Sequence, residues 1–237
     1  MREKRNIMIM ALTSIVVMFM IVIFSTENLQ AAPLSKKEKC YYTKILKSKQ
    51  YVKDTESSIY GLGEFLLYDV NNDGRKELIV SGPLGLRSAF FSIIYSYDGK
   101  NFYKSETIEG EVTGVSKKGI EFTYNDYSGA GEERYDTISI YKLSIKGRIT
   151  EKLREYSESE MNLPSGIVKE KVHNYSKVID NKIIKINKKE YKKIRKKFSL
   201  KTTGTNYSYE MNGKLIHLKY DIQVHSINNK NIKKFLK

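Results

Sequence analysis

An apolar run at the N-terminus constrains this chain most, because it separates a short leader from everything that can build a water-soluble core. Ile7 to Phe24 is almost entirely apolar, and Arg2, Lys4 and Arg5 precede it. A short basic region followed by an apolar run is typical of an export signal. The run also reaches the minimum length for spanning a bilayer, which is about 18 residues. We therefore expect residues 1–31 to be a signal peptide or a membrane anchor.

The sequence does not decide whether this leader is cleaved or retained as an anchor. Leu29-Gln30-Ala31 loosely fits a cleavage site with small residues, while the length of the run allows it to be retained as an anchor. A lipoprotein is disfavoured, because Cys40 follows a lysine-rich stretch rather than small apolar residues. In either case the basic residues before the run predict that residues 32–237 are translocated. The expected location is extracytoplasmic, either secreted or anchored to the outer face of the cytoplasmic membrane.

The charge balance of the chain predicts attraction to polyanions. The protein has 42 Lys and Arg against 27 Asp and Glu in 237 residues, a formal net charge of +15. Outside a cell, a basic surface is drawn to anionic wall polymers, lipid headgroups or nucleic acid. Hydrophobic residues make up 40% of the chain, which is enough for a core without disulfide staples. With one cysteine, a disulfide framework within the chain and a multi-cysteine zinc site are both excluded.

The hydrophobic pattern predicts an α+β fold, in which an antiparallel β-meander follows an N-terminal helix and precedes C-terminal helix and strand elements. Ser35 and Glu38 form a capping-box pattern at the start of the first helix, which should extend to about Tyr51. Short runs rich in β-branched and aromatic residues then alternate with turn signals such as Asp98-Gly99. We expect residues 157–172 to be a connection and Leu215–His225 to be one half-buried strand. Residues 32–237 are expected to form a single domain.

One acidic loop contains a pattern of candidate metal ligands. Residues 69–78 read Asp-Val-Asn-Asn-Asp-Gly-Arg-Lys-Glu-Leu, which places oxygen-bearing side chains at loop positions 1, 3, 5 and 9 and glycine at position 6. Calcium takes six to eight oxygen ligands, and a glycine permits the sharp turn that brings them together. A full EF-hand needs an acid at position 12, which here is Val80. The candidate Ca²⁺ ligands are Asp69, Asn71, Asp73, Glu77 and the backbone carbonyl of Arg75.

This loop, lying between two apolar strand-like segments, resembles the calcium loop of FG-GAP/VCBS-type repeats. It is also similar to the single-copy, EF-hand-like loop of many exported Gram-positive proteins of unknown function. The resemblance implies that the side chains of Asp69, Asn71, Asp73 and Glu77 supply oxygens to one calcium ion. The chain carries the motif once, which argues against a propeller. The competing interpretation is a bare hairpin turn, because Asn-Asp-Gly favours such turns without metal.

A second candidate site is a basic helix predicted after Asn187. Its charged residues could bind an anionic cell-envelope polymer or a lipid surface, and the alternative is an ordinary solvated face. Aromatic residues for base stacking are sparse there, so specific nucleic-acid binding is not expected. The candidate polyanion-binding residues are Lys188, Lys189, Lys192, Lys193, Arg195, Lys196 and Lys197.

No common catalytic motif occurs in the sequence, and we therefore expect a non-enzymatic protein. His173 has no acid or nucleophile in a recognisable local pattern. Cys40 is expected to be a surface or partly packed thiol rather than a nucleophile. The remaining alternative is a hydrolase whose site is assembled from the distant acids Glu132, Glu133 and Asp136. The leading hypothesis is an exported module that binds one structural calcium ion, and the second is a basic cell-surface protein in which the loop is purely structural.

Overall fold

The computed structural model describes residues 31–54, 63–83, 90–128, 133–162, 167–204, 207–211 and 214–237. Within them, Pro33–Lys237 form one compact unit. The predicted leader falls almost wholly outside the described residues. In the described part, no helix combines the length and apolar character needed to cross a membrane.

The fold is mixed α+β, with antiparallel sheet dominating, so the predicted class is correct in outline. The helices of the described part are α1 (Lys36–Ser48), α2 (Gln50–Asp54), α3 (Lys188–Lys196) and α4 (Asn229–Leu236). The strands of the first sheet are β1 (Glu64–Tyr68), β2 (Glu77–Pro83), β3 (Phe90–Tyr97), β4 (Phe102–Lys104), β5 (Ile108–Glu109) and β16 (His225–Ser226). The strands of the second are β6 (Glu111–Ser116), β7 (Gly119–Ser128), β8 (Glu133–Leu143), β9 (Ile149–Asn162), β10 (Ile167–Ile179), β11 (Lys182–Ile186), β12 (Lys201–Gly204) and β15 (Ile222–Gln223). A separate pair is formed by β13 (Tyr207–Met211) and β14 (Lys214–Leu218).

The first helix begins where the sequence predicts. The Ser35 hydroxyl accepts the Glu38 backbone N–H at 3.3 Å, and the Glu38 carboxylate accepts the Ser35 N–H at 2.7 Å. This reciprocal capping box satisfies two amide donors that a helix start leaves unpaired. The helix ends one turn earlier than predicted, because Lys49 adopts a left-handed conformation with φ 52° before α2 begins. The buried face of α1 includes Tyr42, Ile45 and Leu46, as the spacing predicts.

The meander prediction holds for most of both sheets. In the first sheet, β1, β2 and β3 pair in sequence order and antiparallel. In the second, six consecutive strands from β6 to β11 are neighbours, so each is joined to the next by a hairpin. The prediction misses that the strands divide into two sheets, and that β12 pairs with β15 in parallel.

Two predicted boundaries are wrong. Residues 157–172 are not a mere connection, since most of them lie in β9 and β10, which pair antiparallel along their length. Leu215–His225 is not one strand, because β14 ends at Leu218 and two short strands follow, separated by Val224. In both cases local pattern is a weak guide, because pairing with a neighbouring strand decides whether a polar segment becomes β-structure.

The apolar side chains form three buried clusters. One packs α1 and α4 against the first sheet around Phe65 and Tyr95. A second lies between the two sheets and includes Ile79, Ile94 and Phe122. The third packs α3 on the second sheet through Tyr191 and Phe198. The first two clusters flank the acidic loop on β1 and β2, while the third supports the basic helix.

Candidate functional site

The acidic loop is the hairpin connection between β1 and β2. Tyr68 and Glu77 are register partners, so residues 69–76 connect the two strands and Glu77 is the first residue of β2. Two residues of the connection have positive φ, Asn72 at 60° and Gly74 at 84°. Glycine adopts this conformation at no steric cost, which explains its place at the sharpest point of the turn.

Side-chain oxygens organise the backbone of this loop. Asp69 Oδ1 accepts the N–H of Asp73 at 3.2 Å, and Asp69 Oδ2 accepts the N–H of Gly74 at 3.2 Å. Asn71 Oδ1 also accepts the Asp73 N–H, at 2.9 Å, and Asp73 Oδ1 accepts the N–H of Arg75 at 2.8 Å. The three residues at loop positions 1, 3 and 5 therefore all turn their oxygens towards the loop interior. A carboxylate offers about four lone-pair sites and an amide oxygen two, so these bonds leave acceptor capacity on each group.

Glu77 is the most unusual group in the loop, because its carboxylate is charged in water yet here has 0% exposure. Its Oε2 accepts the N–H of Val70 at 2.9 Å and its Oε1 accepts Asn71 Nδ2 at 2.9 Å. Burial, with the nearby charges of Asp73 and Asp69 as smaller causes, raises the pKa of Glu77 to about 8. Asp69 is also buried, at 2% exposure. Acidic groups are thus concentrated where water is excluded.

Basic side chains do not neutralise this cluster. Within the part of the chain that the structure describes, no lysine or arginine forms an ion pair with Asp69, Asp73 or Glu77. The Arg75 guanidinium instead lies over the Tyr97 ring, 5.6 Å from its centroid. It also packs close to Gly99, where an added Cβ would lie 3.0 Å from the guanidinium. The Arg75 guanidinium is therefore held against the neighbouring hairpin.

The first helix anchors the end of the loop. The Tyr42 hydroxyl donates to the carbonyl of Lys76 at 3.0 Å, and the Tyr42 side chain is fully buried. Burial raises the pKa of Tyr42, and the charge of Glu77 raises it further, so the two groups lie close together. Movement at position 77 is therefore coupled to the packing of α1 on the first sheet.

The loop contains the types of ligand that calcium prefers, but its side chains do not lie close enough together to bind one ion. Carboxylate, amide and backbone oxygens on a tight loop are the ligands that this hard cation takes. As placed, however, no group of three or more Asp, Glu, His or Cys side chains among the described residues could hold a metal ion. Calcium binding therefore requires the side chains of Asp69, Asp73 and Glu77 to move closer together than they lie here.

Comparison with known proteins gives no family for this chain. No family model, curated protein or solved structure matches it. The resemblance of the loop to FG-GAP/VCBS calcium loops stays a prediction from the motif alone.

The basic helix α3 forms as predicted. The Asn187 side chain accepts the N–H of Glu190 at 2.9 Å and caps the helix start. Glu190, the only acid of the helix, bonds Lys177 of β10 at 2.7 Å. None of the six lysines of the candidate surface forms an ion pair with an acid that the structure describes. All six are exposed: Lys188, Lys189, Lys192, Lys193, Lys196 and Lys197.

Arg195 requires a correction, because it is engaged within the protein. Its guanidinium forms a bidentate ion pair with Glu121 of β7, with distances of 2.7 Å and 2.9 Å. Glu121 is 5% exposed, and its hydrogen bonds raise the pKa of Arg195. A buried acid needs such a partner, so Arg195 fastens the helix to the sheet. The candidate polyanion-binding surface is therefore limited to the six lysines.

Sequence reasoning missed the polar groups beside α3 that strand pairing brings together. His173 of β10 lies between two acids, with Nε2 2.7 Å from Glu155 Oε1 and Nδ1 in contact with Glu170. Glu155 pairs with Tyr175 across β9 and β10, and the Tyr175 ring lies 4.9 Å from that of Tyr191. In the sequence, the only signal for this cluster is Glu170, three residues before His173, and it is a weak one. The contact with Glu155 depends on the register between β9 and β10, which the sequence does not show.

The other candidates are placed as follows. Glu133 and Asp136 lie three residues apart on β8 and therefore point to opposite faces of the sheet. Lys171 bonds Glu133 at 3.2 Å, and Arg134 bonds Asp136 at 2.7 Å. Glu132 lies outside the described residues. Cys40 is exposed on α1.

Proposed function

We propose that residues 32–237 act outside the cytoplasm as a non-enzymatic module that one calcium ion stabilises at the 69–78 loop. A single observation carries this proposal. The Glu77 carboxylate is fully buried between the charges of Asp69 and Asp73, without an ion pair from a described basic side chain. A buried charge needs a partner, and a cation in the loop would provide one.

The sequence motif and the types of oxygen donor in the loop support the same ligands. Asp69, Asn71 and Asp73 already direct oxygens to the loop interior, and Glu77 lies behind them at the start of β2. The Arg75 guanidinium lies over the Tyr97 ring, and its backbone carbonyl is the candidate fifth oxygen ligand. A few carboxylates in an extracellular module imply modest affinity, of order 10⁻⁴–10⁻³ M.

The test is thermal unfolding of the soluble domain in millimolar calcium and in chelator. Wild-type protein should melt at a higher temperature in calcium, since a ligand that binds only the native state stabilises it. Glu77→Gln should lose this gain, because the variant removes a charged ligand. In chelator it should melt somewhat below the wild type, because either the Val70 N–H or the Asn71 Nδ2 would face an amide NH2 instead of an oxygen. Equal melting of wild type in both conditions would refute the calcium proposal.

A matched control lies within the same loop. Asn72 is exposed and has φ 60°, a conformation that glycine adopts without strain. Asn72→Gly should therefore keep the full calcium response, because position 4 of the loop contributes no ligand. Loss of the response in this variant would mean that backbone order, and not ligand chemistry, produces the effect.

A second candidate function is binding of an anionic envelope polymer or lipid surface by α3, with the loop purely structural. The observation that favours it is the row of six exposed lysines without described ion-pair partners. Binding to vesicles of phosphatidylglycerol, or to inorganic polyphosphate, should weaken steeply as salt rises and should be indifferent to chelator. Salt-independent binding would count against it.

A further inference from the structure

Three hairpin turns lie at the same end of the second sheet. They join β6 to β7 at residues 117–118, β8 to β9 at residues 144–148, and β10 to β11 at residues 180–181. The start of β7 pairs with the end of β8, and the start of β9 pairs with the end of β10, so all three turns point the same way. Successive turns are two strand spacings apart, which is about 10 Å. We call residues 117–118, 142–148 and 179–185 the turn surface.

The turn surface gathers exposed apolar side chains. Five large hydrophobic residues are exposed in the part of the chain that the structure describes, and four of them lie on the turn surface: Ile145, Ile179, Ile183 and Ile184. The fifth, Val168, lies near the other end of β10, roughly 35 Å away along the strand. Exposed apolar residues that are scattered singly need no explanation, whereas a cluster of them marks a surface for a protein or a membrane.

The third turn stands clear of the rest of the sheet. The ladder between β9 and β10 reaches only Lys177, whereas the ladder between β10 and β11 continues to Ile179. Asp180 and Asn181 then form a tight two-residue turn, in which both have positive φ, 49° and 61°. Ile179 and Ile183 lie on opposite faces of this hairpin. Apolar side chains therefore cover both faces of a narrow tip, a shape that can enter a soft surface.

Basic side chains surround these isoleucines. Asp180 is the only acid in the sequence of the turn surface, and Asp98 of the β3–β4 turn lies near Lys146. None of the exposed basic residues forms an ion pair with an acid that the structure describes. Positive charge thus outweighs negative charge, and the surface attracts anions. The exposed basic residues are Lys118, Lys142, Lys146, Arg148, Lys182 and Lys185.

We propose that the turn surface docks on an anionic lipid bilayer, with its isoleucines in the interface and its basic side chains on the headgroups. A bilayer satisfies both features, because acyl chains accept apolar side chains while anionic headgroups attract lysine and arginine. A wall polymer would satisfy the charges and leave the isoleucines in water. The proposal deepens the second proposed function and rests on its requirement for an anionic partner. It names lipid as that partner and places the contact on the turns rather than on α3.

The experiment is co-sedimentation of the soluble domain with vesicles of phosphatidylglycerol and phosphatidylcholine, and with vesicles of phosphatidylcholine alone. Binding should require phosphatidylglycerol and should weaken as salt rises. Ile183→Ser removes the most exposed isoleucine, at 65% exposure, and should weaken this binding about fivefold. The control Val168→Ser removes an apolar side chain of 54% exposure from the far end of the neighbouring strand. It should change binding less than about twofold, and equal loss in both variants would overturn the proposal.

A single introduced tryptophan tests the orientation directly, because the chain contains none. The fluorescence of Ile183→Trp should shift to shorter wavelength on phosphatidylglycerol vesicles, and lipids brominated on their acyl chains should quench it, since the ring would enter the apolar interface. Val168→Trp should show neither change. Quenching at both positions or at neither would overturn the proposal, because docking through the turns immerses only one end of the sheet.

Polyphosphate binding separates this proposal from the second proposed function. Ile183→Ser should bind polyphosphate as the wild type does, since a soluble polyanion gains nothing from an isoleucine. If Ile183→Ser also binds the vesicles as the wild type does, the docking proposal fails while the second proposed function stands. If the wild type binds vesicles through Ile183 but does not bind polyphosphate, α3 loses its proposed role and the turn surface keeps its own.

Asp180→Asn gives an effect of the opposite sign. The substitution removes the one acid of the turn surface, so binding to phosphatidylglycerol vesicles should become several-fold tighter at low salt. Asparagine tolerates the positive φ at this position, as Asn181 does beside it, so the turn should be kept. An unchanged or weaker affinity would overturn the placement of this tip against anionic headgroups.

Discussion

The acidic loop and the basic helix present like charges in opposite ways. The loop gathers Asp69, Asp73 and Glu77 into a region where two of the three are almost fully buried. The helix spreads six lysines over a surface where all are exposed. Repulsion between exposed lysines is screened by water and salt beyond about 8 Å at 0.15 M ionic strength. Repulsion inside the loop is not screened, so the loop needs protonation or a cation while the helix needs neither.

The largest expected effect that tests this difference is the pH dependence of stability in chelator. Glu77 has a folded pKa of about 8, whereas the unfolded carboxyl has its ordinary value of 4.5. Between these values the folded state holds a proton that the unfolded state has lost, so stability falls as pH rises from about 4.5 to 8. The fall should amount to a few kcal/mol at most, since one pKa unit corresponds to about 1.4 kcal/mol.

Urea unfolding at pH 5, 6, 7 and 8 measures this fall. Glu77→Gln should flatten the profile in chelator, because the variant cannot titrate. Other groups, such as the half-buried His225 with its lowered pKa, contribute equally to wild type and variant and cancel in the comparison. Calcium should also flatten the wild-type profile. Parallel profiles for wild type and Glu77→Gln would show that the buried carboxyl does not control stability.

The next largest effect is expected when a charged side chain of the loop is replaced and stability is measured in calcium. At ten times the dissociation constant, calcium should stabilise the wild-type domain by about 1.4 kcal/mol. Asp69→Asn and Asp73→Asn each remove a charge, so each should abolish most of the gain. Asp73→Asn keeps an oxygen for the Arg75 N–H, whereas Asp69→Asn keeps only one of the two oxygens that accept loop N–H groups. Magnesium should substitute poorly, since it demands a tighter octahedral shell. Unfolding curves recorded with each ion measure these effects. Full stabilisation of both variants by calcium would exclude Asp69 and Asp73 as ligands.

A smaller effect separates Arg195 from the lysines beside it. Arg195→Lys replaces a bidentate ion pair to Glu121 by a weaker single contact, and Arg195 is 46% exposed. The loss should be about 1 kcal/mol in the free energy of unfolding, close to the value for a partly exposed pair. Lys193→Gln on the same helix is the control and should cost less than about 0.5 kcal/mol. If both substitutions cost the same, Arg195 does not fasten the helix.

The smallest effect on stability is expected for the exposed lysines themselves. Replacing Lys188, Lys189 and Lys193 by glutamine should leave the free energy of unfolding within about 0.5 kcal/mol of wild type. The same variant should bind polyphosphate more weakly at low salt, because each lysine near an anionic surface contributes about 1 kcal/mol. Co-sedimentation over a range of salt concentrations measures this. Unchanged binding would remove the helix from the second proposed function.

Local patterns predicted what local physics controls. The capping box at Ser35, the turn at Asp98-Gly99 and the loop between β1 and β2 all lie where the sequence places them. Each depends on a side chain or a glycine that acts within a few residues of itself. The division into two sheets and the β9–β10 hairpin were not predictable in this way, because they depend on which distant strand offers a free edge.

The same distinction applies to the candidate sites. The sequence alone determined the ligand types and spacing of the acidic loop and the density of lysines on α3, since both are runs of neighbouring residues. Only the tertiary structure decided that Glu77 is buried, that Arg75 turns to Tyr97 and that Arg195 is engaged by Glu121. The reason is physical: burial and ion pairing depend on residues up to 74 positions away in the chain, which packing alone brings into contact.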